Sequence, residues 1–348
     1  MLGFSIYLDR PINGAQQDYI QTMAQAGFVQ IFTSLHIPEM VNEALAQRFL
    51  DLAQVCQTTS LSLMVDVDAK TFKHYRQILE QAATYCQLKL RLDDGFGTEE
   101  MVHLAQQWPI VLNASTLTDE LLTGFIEHGG QTKSLSVGHN FYPQPYTGLD
   151  SNWFQQRNRW LKQRALSISA FVPGNGSLRG PLYQGLPTLE QQRHQDPLLA
   201  AKALFDQMVD DVFIGDPQLV SSTQLAFKQY FQAHIVKLEV QLVSSKWRQV
   251  LGQHIWHNRP DVAAEVIRCQ ESRQLNQQAT VLPEHCIARQ TGAITINNQL
   301  YGRYQGEIQI CRTELPADPA VNVIGQLTPA ACDYLALIGS RIGIQLQI

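Results

Sequence analysis

The sequence predicts an α/β fold: a (β/α)8 TIM barrel over residues 1–232, followed by a smaller, mostly β domain over residues 233–348. Three observations predict it. Eight short apolar runs in the first two-thirds of the chain each end in polar or charged residues. Helix-patterned stretches separate these runs one by one, the alternation that builds a parallel sheet. After about Phe231 the rhythm changes to strand-like runs punctuated by Gly, Asn and Pro.

The strand runs are Leu2–Leu8, Phe28–Leu35, Leu61–Asp68, Leu88–Asp94, Ile110–Ser115, Ser134–Tyr142, Leu166–Val172 and Asp211–Asp216. Between and after them lie helical stretches at Gly14–Ala26, Pro38–Thr58, Thr71–Tyr85, Thr98–Gln107, Thr116–Glu127, Leu149–Gln163, Thr188–Val209 and Pro217–Gln232. Several carry start signals. Pro38 suits a first helical position, and Thr98-Glu99-Glu100 and Thr118-Asp119-Glu120 put acids in a first turn, where the helix dipole favours them. An open doubly wound sheet would show a Gly-rich turn after its first strand, and Leu8-Asp9-Arg10-Pro11 is no such turn. In the last third, His234–Val243, Ala293–Asn297, Glu307–Cys311, Val321–Leu327 and Ile342–Ile348 read as strands, with helices at Asp261–Cys269 and Pro329–Ile338.

Composition narrows the function. The 348 residues are 45% hydrophobic, ample for a core, and the formal charge of −5 comes without a basic stripe, which argues against nucleic acid as a partner. No apolar run is long enough to span a bilayer, and the N-terminus lacks the pattern of a secretory signal, so no membrane is expected and the expected location is the cytoplasm. Six scattered cysteines without a C-x-x-C pair fit free thiols in a reducing compartment. His254 and His257 have no Cys or acid near them in sequence to complete a ligand set, so no metal is expected.

Side chains alternate along a strand, which assigns the barrel interior. Leu88, Leu90 and Leu92 face outward, so Lys89, Arg91 and Asp93 face inward; Ser62, Met64, Asp66 and Asp68 do the same on the third strand. Ser5, Tyr7, Ser34, His36, Asn113, Ser115, Gly138 and Asn140 join them. So polar an interior needs pairing, solvent or ligand, and Arg91 bridging Asp66 and Asp93 is its structural explanation. Asp93, before Gly95 at a strand tip, and Glu39, after His36-Ile37-Pro38, are the candidate acids, with Asp66 next; a first-turn helix acid is the other reading of Glu39. Phe32 or Phe96 would supply an apolar wall that raises one carboxyl's pKa. The glycine-rich stretch 171–181 after strand seven suits phosphate binding by backbone N–H groups, with Arg179 adding a bidentate contact.

These stretches together resemble one bacterial family, the MupG-type 6-phospho-N-acetylmuramidases. The resemblance rests on Gly3-Phe4-Ser5-Ile6-Tyr7, Leu90-Arg91-Leu92-Asp93-Asp94-Gly95-Phe96, Gly138-His139-Asn140-Phe141-Tyr142-Pro143, Arg179-Gly180-Pro181-Leu182 and Gly185-Leu186-Pro187-Thr188-Leu189-Glu190. Tyr301-Gly302-Arg303-Tyr304-Gln305-Gly306-Glu307 and Val321-Asn322-Val323-Ile324-Gly325 extend it into the second domain. Gln192, where a His is expected, and Ala320, where an Arg often precedes V-N-V, depart from the pattern.

The resemblance implies a barrel followed by a cyclophilin-like domain. It also implies hydrolysis, in peptidoglycan recycling, of a phosphorylated disaccharide: N-acetylmuramic acid 6-phosphate joined β-1,4 to N-acetylglucosamine. No cofactor is implied. Asn113, His139 and Asn140 are then expected to hydrogen-bond the sugar, Tyr142 to stack on it, and Arg179, less strongly Arg193 or Arg303, to hold the phosphate. A sugar-phosphate isomerase or lyase on the same barrel face, and a non-catalytic sugar-phosphate-binding protein, are the competing readings.

Overall fold

A computed structural model describes residues 1–36, 43–242 and 245–348, which divide into two compact units, Met1–Phe227 and Lys228–Ile348. In the first unit eight parallel strands close into a barrel: β1 (Leu2–Ser5), β2 (Gln30–Ser34), β3 (Ser62–Val67), β4 (Leu88–Leu92), β5 (Ile110–Asn113), β6 (Leu135–Gly138), β7 (Ser167–Val172) and β8 (Asp211–Ile214). The last strand returns to the first, setting Gly3 opposite Phe213. The helices are α1 (Gly14–Gln25), α2 (Glu43–Thr59), α3 (Ala69–Ala82), α4 (Thr98–Gln107), α5 (Asp119–Glu127), α6 (Ser151–Gln163), α7 (Pro197–Asp206) and α8 (Ser221–Ala233).

Local chemistry starts these helices where it does. Asn13, Asp68, Thr118, Asp150 and Asp196 each accept a backbone N–H from the first turn of α1, α3, α5, α6 and α7. The expected helix over Thr188–Val209 is therefore shortened at its start to Pro197. The residues before it are drawn into backbone pairing with the loop after β6: Leu149 donates to the Thr188 carbonyl (2.9 Å) and Glu190 to that of Leu149 (3.2 Å). Pro197, with no N–H to give, then suits the first turn. The strands are likewise shorter than the apolar runs, because each polar tip peels away into a loop.

The barrel interior is aromatic. Phe32, Met64, Val111, Phe171 and Phe213 form one buried cluster, with Phe141 from the loop after β6 packed on it. Phe32 meets Phe171 and Phe141 edge to face, at centroid distances of 5.1 and 6.2 Å. Met64 and Phe32 lie on the same faces of their strands as Asp66 and Ser34, so this floor sits one residue pair beneath the polar mouth.

The second unit is a seven-stranded sheet built from β9 (Ile235–Leu242), β10 (Ile255–His257), β11 (Val266–Arg268), β12 (Ala293–Asn297), β13 (Ile308–Cys311), β14 (Val321–Leu327) and β15 (Gly343–Gln347). Their order across the sheet is β10-β15-β9-β14-β12-β13-β11, antiparallel except for β15 beside β9. The helix expected over Asp261–Cys269 is replaced by β11, whose Ile267 is buried opposite Ile310. The Pro329–Ile338 helix is present as α9 (Pro329–Asp333) continued by a 3-10 turn.

Gly3 shows how tightly the barrel is filled: a Cβ there would lie 2.3 Å from the Phe213 ring. That ring is fully buried among Phe32 and Phe171 and has no room to retreat. Gly3→Ala is expected to destabilise the barrel by about 1–3 kcal/mol through overpacking. A lowered urea midpoint at unchanged slope would show it, and an unchanged midpoint would contradict it.

Candidate active site at the barrel mouth

The alternation that turns Met64 into the barrel carries Asp66 to its C-terminal rim, and register sets Arg91 directly opposite. The Arg91 guanidinium, only 5% exposed, forms an ion pair with Asp66 through one terminal nitrogen and donates to the Asn140 side-chain oxygen through the other. Ser34 Oγ donates to the second Asp66 oxygen at 3.3 Å. Gly138 beside this guanidinium is closely packed: a Cβ there would come within 2.8 Å of Ser169 Oγ and 3.3 Å of Val111 Cγ1. One buried cation thus ties β3, β4 and the end of β6 together. Arg91 does not neutralise Asp93 as it does Asp66.

Asp93 follows β4 at the same rim. Burial raises its carboxyl above the usual range, helped by the negative charges of Asp66 and Asp94, while Arg91 and His36 pull the other way. Among the described residues its carboxylate accepts no hydrogen bond. Asp68, by contrast, is committed to structure. Burial pushes its carboxyl up, but the Thr71 hydroxyl and N–H, His36 and Lys70 hold it below the ordinary value. His36 Nδ1 lies 3.0 Å from its Oδ2.

The loop after β7 is organised by a carboxylate that sequence reasoning passed over. Asp216, nearly fully buried after β8, accepts N–H bonds from Gly174 (2.9 Å), Arg179 (3.0 Å) and Leu186 (3.0 Å). Gly174 is required there, since a Cβ would sit 2.6 Å from the Gln218 carbonyl oxygen and 2.8 Å from Asp216 Cβ. The Arg179 guanidinium lies over the Tyr7 ring, 3.5 Å from its centroid, and the buried Tyr7 hydroxyl donates to the Gly215 carbonyl at 2.7 Å. Burial pushes the Tyr7 hydroxyl's pKa up against the pull of Arg179; Asp216 and Asp66 are near enough to add to the rise. Tyr7 therefore holds the Arg179 side chain against the chain that follows β8. Ser5, Tyr7, Arg10, Gln16, Arg179 and Tyr183 line a cavity of about 450 Å³ here.

A second clamp joins the loops after β6 and β7. Glu190 receives Arg193 Nε (2.7 Å) and Nη2 (2.6 Å), and the N–H groups of Tyr146 (2.9 Å) and Gly148 (2.8 Å). The Arg193 bonds, against some burial and with those N–H groups, bring Glu190 down to about 2. Arg193 also donates to the carbonyls of Tyr142 (2.9 Å), Gln144 (3.1 Å) and Gly185 (3.1 Å). Its donors are engaged by protein, which corrects the expectation that it holds a phosphate.

Other predicted residues divide plainly. Asp66, Asp93 and Asn140 gather at the rim around Arg91, and Arg179 at the adjoining cavity. Asn113 is half-buried at the end of β5, and its Oδ1 accepts the Ser115 N–H at 2.9 Å in a local turn. Tyr142 is half-buried on the loop after β6, its N–H donating to the Pro187 carbonyl at 2.9 Å. Arg303 belongs to the second unit, where it donates to the Tyr304 hydroxyl at 2.8 Å. Glu39 lies outside the described residues.

His139 is a correction. It follows Gly138 with the opposite parity, so its ring turns away from the barrel axis and is fully buried against α6. There Nε2 pairs with Asn158 Oδ1 (2.8 Å), and the Asn158 amide donates to the Gln207 carbonyl (2.9 Å). Ser115, also expected inside, approaches its Nδ1 at 3.4 Å.

Residues 2–229 match the N-terminal part, and residues 236–347 the C-terminal part, of the family described as 6-phospho-N-acetylmuramidase. The chain belongs to the 6-phospho-N-acetylmuramidase family. A crystal structure of a conserved Enterococcus faecalis protein of unknown function is similar over the whole of this chain and 96% of its own, at 36% identity and a TM-score of 0.86. An uncharacterized B. cereus protein shares the fold over 100% of this chain and 99% of its own, at 24% identity and a TM-score of 0.76. No curated protein matches. Among the described residues no helix is long and apolar enough to cross a membrane.

Burial lowers His139 to about 4, the charge of Arg157 adding to it and the Asn158 bond opposing it. A histidine depressed on folding is protonated first in the unfolded chain, so its contribution is present above about pH 6.5 and is lost as pH falls towards 4. The stability lost over that window should be about 3 kcal/mol, on the order of 1.4 kcal/mol per unit. Urea titrations at stepped pH should show His139→Gln with a flatter dependence between those values. An identical slope in the variant would remove His139 as the cause.

Proposed function

We propose that this member of the family is a glycosidase that cleaves the β-1,4 bond of N-acetylmuramic acid 6-phosphate–N-acetylglucosamine, in peptidoglycan recycling in the cytoplasm. The observation that carries the reading is the pair of unequal carboxyls on one barrel rim: Asp66 held as an ion pair, Asp93 raised and unpaired among the described residues. Glycoside hydrolysis needs this inequality, a protonated acid for the leaving oxygen and a negative group for the oxocarbenium-like transition state.

In this scheme Asp93 donates its proton to the bridging oxygen as the bond to N-acetylglucosamine breaks. Asp66, fixed by Arg91 and Ser34, presents its charge to the sugar ring or orients the substrate's own acetamido carbonyl as nucleophile. Glu39 is the further carboxyl assigned to the reaction. Water completes the cleavage, and Asp93 recovers the proton. Arg179 holds the phosphate: the ring of Tyr7 supports one face of its guanidinium, and such a cation binds an anionic oxygen pair through N–H groups in its own plane. Arg10, across the same cavity, adds a second positive charge. Asn113, Asn140 and Tyr142 contact hydroxyl, acetamido or ring faces.

Incubation with the phosphorylated disaccharide should release free N-acetylglucosamine and N-acetylmuramic acid 6-phosphate. Tight binding without products, or turnover of the monosaccharide phosphate alone, would overturn the reading. Asp93→Asn and Glu39→Gln should each lower kcat by about 10²-fold or more if both carboxyls move protons. As an acid Asp93 works protonated, so the rate should fall as pH rises through its raised pKa, at higher pH than an ordinary carboxyl would give. A near-normal rate in either variant removes that residue from the chemistry.

Arg179→Ala should abolish the preference for phosphorylated over unphosphorylated disaccharide, mainly through KM. Unchanged discrimination would move the phosphate to another part of the mouth.

A further inference from the structure

At the opposite end of the barrel from the mouth, Cys56 and Cys86 line one cavity of about 470 Å³ together with Gln30, Ser62 and Lys89. Backbone pairing brings the two cysteines there. Leu61 N–H bonds back to the Cys56 carbonyl (3.0 Å) as α2 turns into β3, and Leu63 N–H bonds to the Gln87 carbonyl (2.9 Å), next to Cys86, where β4 begins. Cys56 is fully buried on α2, and Cys86 is half-exposed just after α3. The two thiols face the same cavity and interact: contact with Cys86, then burial, raises Cys56, while the same contact lowers Cys86 despite its own burial, and Cys86 Sγ also lies 4.0 Å from the Ala82 carbonyl oxygen.

We propose that Cys56 and Cys86 form an oxidisable dithiol, with Cys86 the thiol that meets hydroperoxide and Cys56 the thiol that resolves it into a disulfide. The asymmetry assigns the roles. Oxidants attack thiolates that solvent reaches, and of these two sulfurs Cys86 is the one solvent reaches; the buried Cys56 thiol keeps its own proton and donates it as a hydrogen bond to the Cys86 thiolate. The Cys86 thiolate attacks one oxygen of the hydroperoxide; the O–O bond breaks, and the departing oxygen leaves as water or alcohol with the thiol's proton. Cys56 then attacks the sulfenic sulfur, the S–S bond forms, the S–O bond breaks, and the hydroxyl leaves as water with the Cys56 proton. Two thiols lose two electrons and two protons to one hydroperoxide.

The bond closes a loop over the end of α2, β3 and α3, the elements that carry Asp66 and Asp68 to the other face. Oxidation therefore cross-links part of the scaffold without touching the mouth. Among the described residues the other four cysteines show no thiol partner: Cys269 and Cys311 are buried, Cys286 contacts backbone oxygens and the side chains of Asn298 and Asn322, and Cys332 contacts the Thr291 carbonyl.

The test is hydrogen peroxide on the intact, folded chain, followed by thiol titration and peptide mapping without reductant. Two thiols should disappear together, a peptide joining residue 56 to residue 86 should appear with the loss of two hydrogens, and a dithiol reductant should restore both. Cys56→Ser should instead leave a sulfenic acid at position 86 that dimedone traps, and Cys86→Ser should leave Cys56 reduced. Independent oxidation of Cys86 in the native chain without a cross-linked peptide would overturn the proposal, as would a disulfide to any other cysteine. Circular dichroism of each variant before oxidation ensures that folded chains are compared.

Discussion

A guanidinium with almost no access to water is the constraint around which the barrel's upper half is arranged. Removing a charge from water is expensive, and Arg91 persists inside the barrel because Asp66 supplies the counter-charge and Asn140 a second acceptor. Both partners must then arrive from other strands at the right height. Register between β3 and β4 delivers Asp66, and the turn after β6 delivers Asn140, whose own carbonyl is pinned by Thr188 Oγ1 at 2.9 Å. Beneath lies the floor of Phe32, Phe171 and Phe213, which keeps the local dielectric low. That medium strengthens the ion pair and disfavours a second unpaired negative charge, so the raised carboxyl of Asp93 is a consequence of how Arg91 is housed.

The rim loops obey a similar logic with the signs exchanged. Asp216 spends its negative charge on three N–H groups from one glycine-rich segment, and Glu190 gathers two N–H groups and a bidentate arginine. Neither has much capacity left for a substrate. Their work is to give irregular chain, which has no ladder of its own, a fixed set of hydrogen-bond partners. Arg179 is carried by one of these segments. Its backbone is held by Asp216 and its side chain rests on Tyr7, so the position of the cation follows from a buried carboxylate and a buried phenol.

Much of this was legible in the sequence, for a geometric reason. A period of two along a strand is strict, so naming the outward leucines of β4 also placed Arg91 inside, and the same rule placed Asp66 and Ser34 beside it. The same rule holds past the strand end, against what the resemblance implied for His139. β6 stops at Gly138, and residue 139 continues the alternation outward, which puts a histidine within a family-specific string against α6 instead of at the mouth. Helix limits failed where distant chain intervened: nothing local to Thr188 or Leu189 announces the Leu149 segment that captures them. Asp216 was readable by the strand-tip argument applied to Asp93, since Ile214-Gly215-Asp216 ends the eighth run, but its three N–H partners come from residues about thirty or more positions earlier.

The two kinds of carboxylate at this mouth separate by how fully the protein satisfies them. Glu190 and Asp68 are held below the usual range by their donors and become part of the scaffold, while Asp216 is scaffold too although burial raises its carboxyl against its three N–H partners. A carboxyl that moves protons needs the opposite treatment: enough burial to make the charged form uncomfortable, and too few donors to relieve it. Asp93 fits that description, and its neighbours explain why the position is tolerated. Arg91 and His36 offset part of the penalty, and among the described residues neither they nor any other group bonds to its oxygens. Stability favours filling such a site with a donor, and among the described residues none fills it.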